Sequence, residues 1–222
     1  MDLTSCPVSS NLIQRKLKSN GEIVLQYSIH RPSFPGSGKL RRTEQYFARM
    51  EQLWQARWEN QLYRKATLAH AEQSKHTFFL PWQVSMDYEI TFWKAPLLSI
   101  RIDIKEQGPV SPPISLCIGE VWDCNSGYPC SLHAFLPAKL HHRKHALTEQ
   151  LQQQAQQRMD NEDCLFHANC LFIIKQAFDP SNFYLTENGL VIFYPLYTLG
   201  SYSEGIPTFT IPIESQIQSN KF

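Results

Sequence analysis

The chain has 222 residues, 42% hydrophobic and 18% charged, with a mean hydropathy of −0.35, values that describe a soluble globular protein of one substantial domain. Twenty-one basic against twenty acidic residues leave a formal net charge of +1. Bulk charge therefore steers the protein toward neither nucleic acid nor an anionic membrane surface.

Residues 1–20 hold no apolar core of the length a signal peptide needs and read as an N-terminal extension. No run anywhere is long enough to span a bilayer, so the expected setting is the cytoplasm. Residues 22–30 alternate Ile23, Leu25, Tyr27 and Ile29 with polar neighbours, the pattern of a first strand. Residues 31–38, rich in Pro, Gly and Ser, then break regular structure. From 40 to about 70, Phe47, Met50, Trp54, Trp58 and Leu62 recur at three- and four-residue steps, which predicts a long amphipathic helix with a packed aromatic stripe. Its Arg41, Arg42, Arg49, Arg57, Arg64 and Lys65 are expected on a solvated face.

Strands resume at 82–93 and 97–105, joined at Lys94-Ala95-Pro96, and again at 114–122. A turn over 123–129 leads to a short strand at 132–136, and 140 to about 178 reads as helical. Near the C-terminus, runs 183–186 and 190–194 flank Glu187-Asn188-Gly189. Asn-Gly between β-branched and aromatic runs predicts a hairpin with a type I′ turn, in which both central residues need φ > 0. Residues 208–213 alternate as a half-buried strand. Tight turns between strands, with the helices segregated from them, predict an α+β fold: an antiparallel sheet with two main helices packed on one side.

The six cysteines sit at 6, 117, 124, 130, 164 and 170. A chain of this size needs no disulfide scaffold, so reduced thiols are expected, with Cys124 and Cys130 the one pair that could close a small loop. His141 and His145 have i, i+4 spacing but lack an intervening carboxylate and carry Arg143 and Lys144 between them. Cys124, Cys130, His133, Cys164, His167 and Cys170 do not follow the spacing of a zinc ribbon or finger. No Gly-x-Ser-x-Gly elbow and no phosphate-binding glycine loop occurs. Catalytic residues, metal ligands and cofactors are accordingly expected to be absent.

Over residues 182–212 the elements Asn182-Phe183-Tyr184-Leu185-Thr186, Gly189-Leu190-Val191, Tyr194-Pro195, Ser201-Tyr202, Gly205 and Phe209-Thr210-Ile211-Pro212 resemble the PdaC/RsiV-like domain. That domain forms the extracellular part of a lysozyme-sensing bacterial anti-sigma factor and of certain peptidoglycan deacetylases. The resemblance extends loosely upstream through Leu136-Pro137, Trp122-Asp123 and Leu98-Ser99-Ile100. It implies a domain over 21–213, with 214–222 as a tail, and a role in binding a protein or glycan ligand. No deacetylase domain accompanies it, so no such activity is implied.

The expectation is a non-catalytic ligand- or protein-binding module. Its contacts would lie in two loops, at Gln107, Val110 and Ser111 and at Ser201, Tyr202, Ser203 and Glu204. The alternative is a hydrolase or metal-dependent enzyme built on His133, His167 and the nearby cysteines.

Overall fold

The structure is a computed structural model that describes residues 6, 8–34, 38–73, 79–109, 112–136 and 144–212. Val110, Ser111, His141, His142 and the stretch 214–222 lie outside the described residues. The fold is mixed α+β, as expected, and the chain divides into two compact units. The first comprises Met1–Glu89, Ile102–Ser115 and Cys124–Tyr128, the second Ile90–Arg101, Leu116–Asp123 and Pro129–Phe222.

A six-stranded sheet runs in the order β1 (Ser9–Ser19), β2 (Glu22–Ser33), β3 (Trp82–Lys94), β4 (Leu97–Gln107), β5 (Ile114–Asp123) and β6 (Tyr128–Pro129). The stretch expected to be an N-terminal extension thus supplies β1, an edge strand paired antiparallel with β2 over its whole length. The two join at Asn20-Gly21, with φ of 52° and 87°. This is the arrangement a type I′ hairpin turn demands, and it falls here rather than at Asn188-Gly189. One pair departs from the antiparallel expectation: β2 and β3 are parallel. The long helical connection between them is the crossover that parallel neighbours require.

That connection is one continuous helix in three parts: α1 (Arg41–Ala56), a π-helical segment (Arg57–Leu62) and α2 (Tyr63–Glu72). Within the π segment the Tyr63 N–H reaches back to the Trp58 carbonyl, five residues away. The sequence explains the wider turn. Trp54, Trp58, Leu62 and Ala66 repeat every four residues, and in an α-helix each such step drifts about 40° around the axis. A π turn absorbs part of that drift. Trp58, Leu62 and Ala66 are all buried. Trp58 packs on Tyr27 of β2 and on Trp54, with ring centroids 5.6 and 5.8 Å apart.

The expected solvated basic face is only partly so. Arg57 is drawn to Glu106 of β4, and Arg42 lies over the ring of Tyr128 at 4.2 Å. On β2, the buried Arg31 pairs with Glu44 at 2.9 Å and Glu51 at 2.7 Å, both on α1.

In the second unit, β7 (Phe183–Thr186), β8 (Gly189–Phe193) and β9 (Thr208–Ile211) form an antiparallel three-stranded sheet. The hairpin is in the predicted place, with Thr186 paired to Gly189 across Glu187-Asn188. Its turn is not type I′, because neither central residue has positive φ. Gly189 is required on other grounds. Its φ is 134°, and a Cβ there would meet the Ile211 carbonyl oxygen at 2.3 Å.

The long second helix is interrupted. α3 (Lys144–Asp160) ends where Glu162 takes φ 55°, and α4 (Cys170–Gln176) begins eight residues later. Leu147, Leu151 and Ala155 of α3 are buried with Ile174 of α4 and the inner face of β7–β9. Residues 132–135, expected as a strand, form a short 3-10 turn that buries Leu132 and Phe135.

Candidate functional site

Strand alternation places successive side chains on opposite faces, and the register of β1, β2 and β3 gives rows across the sheet. One row is Gln14–Ser28–Ser85, another Lys16–Gln26–Gln83, and between them runs Arg15–Tyr27–Val84. The middle row belongs to the helix side. Tyr27 and Val84 are buried, and the Tyr27 hydroxyl donates to the carboxylate of Glu59 on the π segment. Burial first, then that hydrogen bond and charge, push the tyrosine upward from its ordinary value, with Arg15 acting the other way. The outer rows face away from the helix and line a basin of about 590 Å³ in the first unit. That volume lies in the range of about 300–1,000 Å³ usual for ligand sites.

β4 completes the wall with Lys105 and Gln107. Glu106, between them, points to the helix instead and is only 4% exposed. The Arg57 guanidinium donates two hydrogen bonds to its carboxylate, at 2.8 and 2.9 Å. Trp58 Nε1 donates a third, at 2.9 Å. Burial alone would raise Glu106. The hydrogen bonds from Arg57 and Trp58, with the charges of Arg57 and Lys65, outweigh it and hold the carboxyl below the usual carboxylate value. The clamp on one face therefore fixes the backbone that aims Lys105 and Gln107 on the other.

The basin is chemically uniform. Its lining holds four glutamines, two serines and three cations, Arg15, Lys16 and Lys105, with no Asp, Glu, His or Cys. Gln107 is the one loop residue expected from the sequence that belongs to it; the remaining lining residues read in the sequence only as outward strand positions.

The second expected loop lies in the other unit and is tied down. Glu204 ends a 3-10 turn (Tyr202–Glu204) with its side chain 6% exposed. It accepts hydrogen bonds from Arg158 of α3 at 2.9 Å and from the Leu165 N–H at 2.5 Å. Arg158 also lies over the Phe166 ring at 4.7 Å. Glu204 is thus a clasp within the fold. Ser201, Tyr202 and Ser203 face outward, and Tyr202 stands beside the exposed Tyr197 with centroids 6.1 Å apart.

The groups weighed for metal or nucleophilic chemistry are dispersed. Among the described residues, no three His, Cys, Asp or Glu come together in a way that could hold a metal. His145 pairs with Glu149 at 3.0 Å, and the His167 N–H donates to the Leu199 carbonyl. All six cysteines are free thiols. Burial, and then the charge of Asp123, push Cys130 up to about 11, leaving it a poor nucleophile near neutral pH. Among the described residues, no helix is long and apolar enough to cross a membrane.

Residues 135–214 match the family described as "Protein of unknown function (DUF3298)". No curated protein matches the chain. Two solved structures are similar to it over nearly their full lengths. A DUF3298 family member from Bacteroides fragilis is 17% identical, with a TM-score of 0.63, over 92% of this chain and 90% of that one. A DUF3298 family protein from Pseudomonas aeruginosa is 16% identical, with a TM-score of 0.57, over 95% and 92%. At such identity the likeness speaks for the fold.

Proposed function

We propose, on the premise that residues 135–214 carry a DUF3298 domain, that this protein is a non-catalytic binding module whose receptor surface is the basin on β1–β4. The observation that carries this reading is the basin's lining. It offers hydrogen-bonding amides, hydroxyls and ammonium groups, and no carboxylate, imidazole or thiol to move a proton or attack a bond. A binding role also accords with the resemblance of residues 182–212 to a ligand-sensing domain. The six free thiols favour a reducing, cytoplasmic setting.

The test is to fill the basin. Ser28 sits in the central row on a face turned away from the core, and tyrosine is a good strand residue. Ser28→Tyr should therefore leave the melting temperature unchanged. Wild-type protein titrated with a panel of small hydrophilic compounds, followed by amide NMR, should show saturable shifts at Gln14, Ser28 and Ser85. Those shifts should vanish in the variant. Turnover of an ester, amide or phosphate panel that survives in Ser28→Tyr but is lost on replacing His133 or His167 would favour the hydrolase. A panel in which nothing reaches the basin would sink the binding reading.

A further inference from the structure

Resting on that reading, we infer that the basin's ligand is a polyhydroxylated carboxylate: a sugar acid or a short oligomer of one. The first argument is hydrogen-bond polarity. Every glutamine and serine facing the basin is both a donor and an acceptor. Vicinal hydroxyl groups are the complementary partner, since each also donates and accepts. A phosphate or sulfate only accepts and would leave the amide oxygens unmatched. An apolar ligand would strip water from six polar side chains without replacing their bonds.

Charge is the second argument. Of the three cations in the lining, Arg15 belongs to the helix-side row and acts on Tyr27, which is bonded to Glu59. Lys16 and Lys105 remain. Among the described residues neither is in an ion pair, and no carboxylate lines the basin. Two ammonium groups amid neutral hydrogen-bonders select a ligand carrying carboxylates spread among hydroxyls rather than a compact polyanion.

Dimensions are the third. Three strands place the outer rows on a grid about 10 Å across the strands and about 7 Å along them, from ordinary strand spacing. That grid accommodates one or two sugar rings lying flat, with Lys16 on one side strand and Lys105 beyond the other.

Calorimetric and NMR titrations with four probes test the assignment: digalacturonate, maltose (equal in size but neutral), succinate (carboxylates without hydroxyls) and inorganic phosphate. Digalacturonate should bind saturably, with shifts at Gln14, Ser28 and Ser85, and should weaken as salt is raised. Maltose, succinate and phosphate should bind at least about tenfold more weakly. Lys16→Gln and Lys105→Gln should each weaken digalacturonate about tenfold, the worth of one charge-assisted hydrogen bond, with no change in melting temperature. Equal binding of maltose, succinate or phosphate, or indifference to both lysine changes, would overturn the ligand class while leaving the module intact. So would failure of all four probes when other panel compounds still reach the basin. If no compound of either set reaches it, both readings fall together.

Discussion

Arg57→Ala is the perturbation whose consequence can be worked most fully. The Glu106 carboxylate is 4% exposed while Arg57 is 43% exposed, so the two ends of the pair meet different fates when separated. Removing the arginine strands a buried charge with the Trp58 N–H as its remaining printed donor. Breaking a buried pair in this way costs about 3–5 kcal/mol. Water entering at the exposed arginine site argues for the lower end, about 3 kcal/mol, or a melting temperature lower by roughly 6–12 °C for a chain of this length. Glu106→Leu frees Arg57 into water and leaves only the Trp58 N–H unpaired, at about 1–3 kcal/mol. The double variant should therefore cost no more than Glu106→Leu alone. The pH dependence has a definite sign. In the wild type Glu106 is held below its unfolded value of about 4.3, so its contribution is full above that pH and lost as pH falls through the folded value. In Arg57→Ala burial dominates and the folded value rises above 4.3, so protonation favours the fold as pH falls. The stability gap between wild type and Arg57→Ala, measured by urea unfolding, should narrow between about pH 7 and pH 4. Additive costs in the double variant, or a gap that does not change with pH, would refute the reasoning.

Two further outcomes can be checked directly. Gly189→Ala should cost more than Gly21→Ala by thermal melting. Both add strain of about 1–3 kcal/mol at positive φ, but only the former drives a Cβ into backbone, the latter meeting nothing within 4 Å. Alkylation of Cys130, followed by peptide mapping, should stay slow at pH 8 and accelerate only as pH approaches about 11; a Cys130 that reacts as fast as Cys164 at pH 8 would show its thiol is not held by burial and Asp123.

What the sequence disclosed and what it hid follow from where each signal resides. The alternation in β2, the Trp54–Trp58–Leu62 stripe and the runs around Glu187-Asn188 are local patterns of burial, and the elements they predict are present. β1 was missed because it is an edge strand whose side chains are mostly half-buried or exposed, Leu12 at 57%, so no hydrophobic face marks it. Yet Asn20-Gly21 carried the same dipeptide signal that was credited at 188–189, and there the backbone does take two positive φ values. Nothing local announces a parallel β2–β3 pair. The basin was illegible for the same reason. Gln14, Lys16, Gln26, Ser28, Gln83 and Ser85 look like ordinary solvent-facing positions until the register sets three strands side by side. Gln107 was reached because it borders a proline-rich loop. Glu204 was chosen for its loop as well, but its carboxylate turns inward to Arg158.

The π segment sets how this chain tolerates length changes. It holds one residue more than an α-helical turn would, and everything from Tyr63 to Glu72 takes its angular position from that extra residue. Deleting any one of residues 57–62 would let the backbone close into continuous α-helix, rotating the downstream half by about 100°. Ala66 would leave the core, and the Tyr63 hydroxyl would lose its reach to the Lys18 carbonyl on β1. A loss confined to one exposed position such as Asn60 would thus be read out across ten residues and at the edge of the sheet. An equally small deletion after Glu72, beyond the last helical residue, would leave that phase untouched.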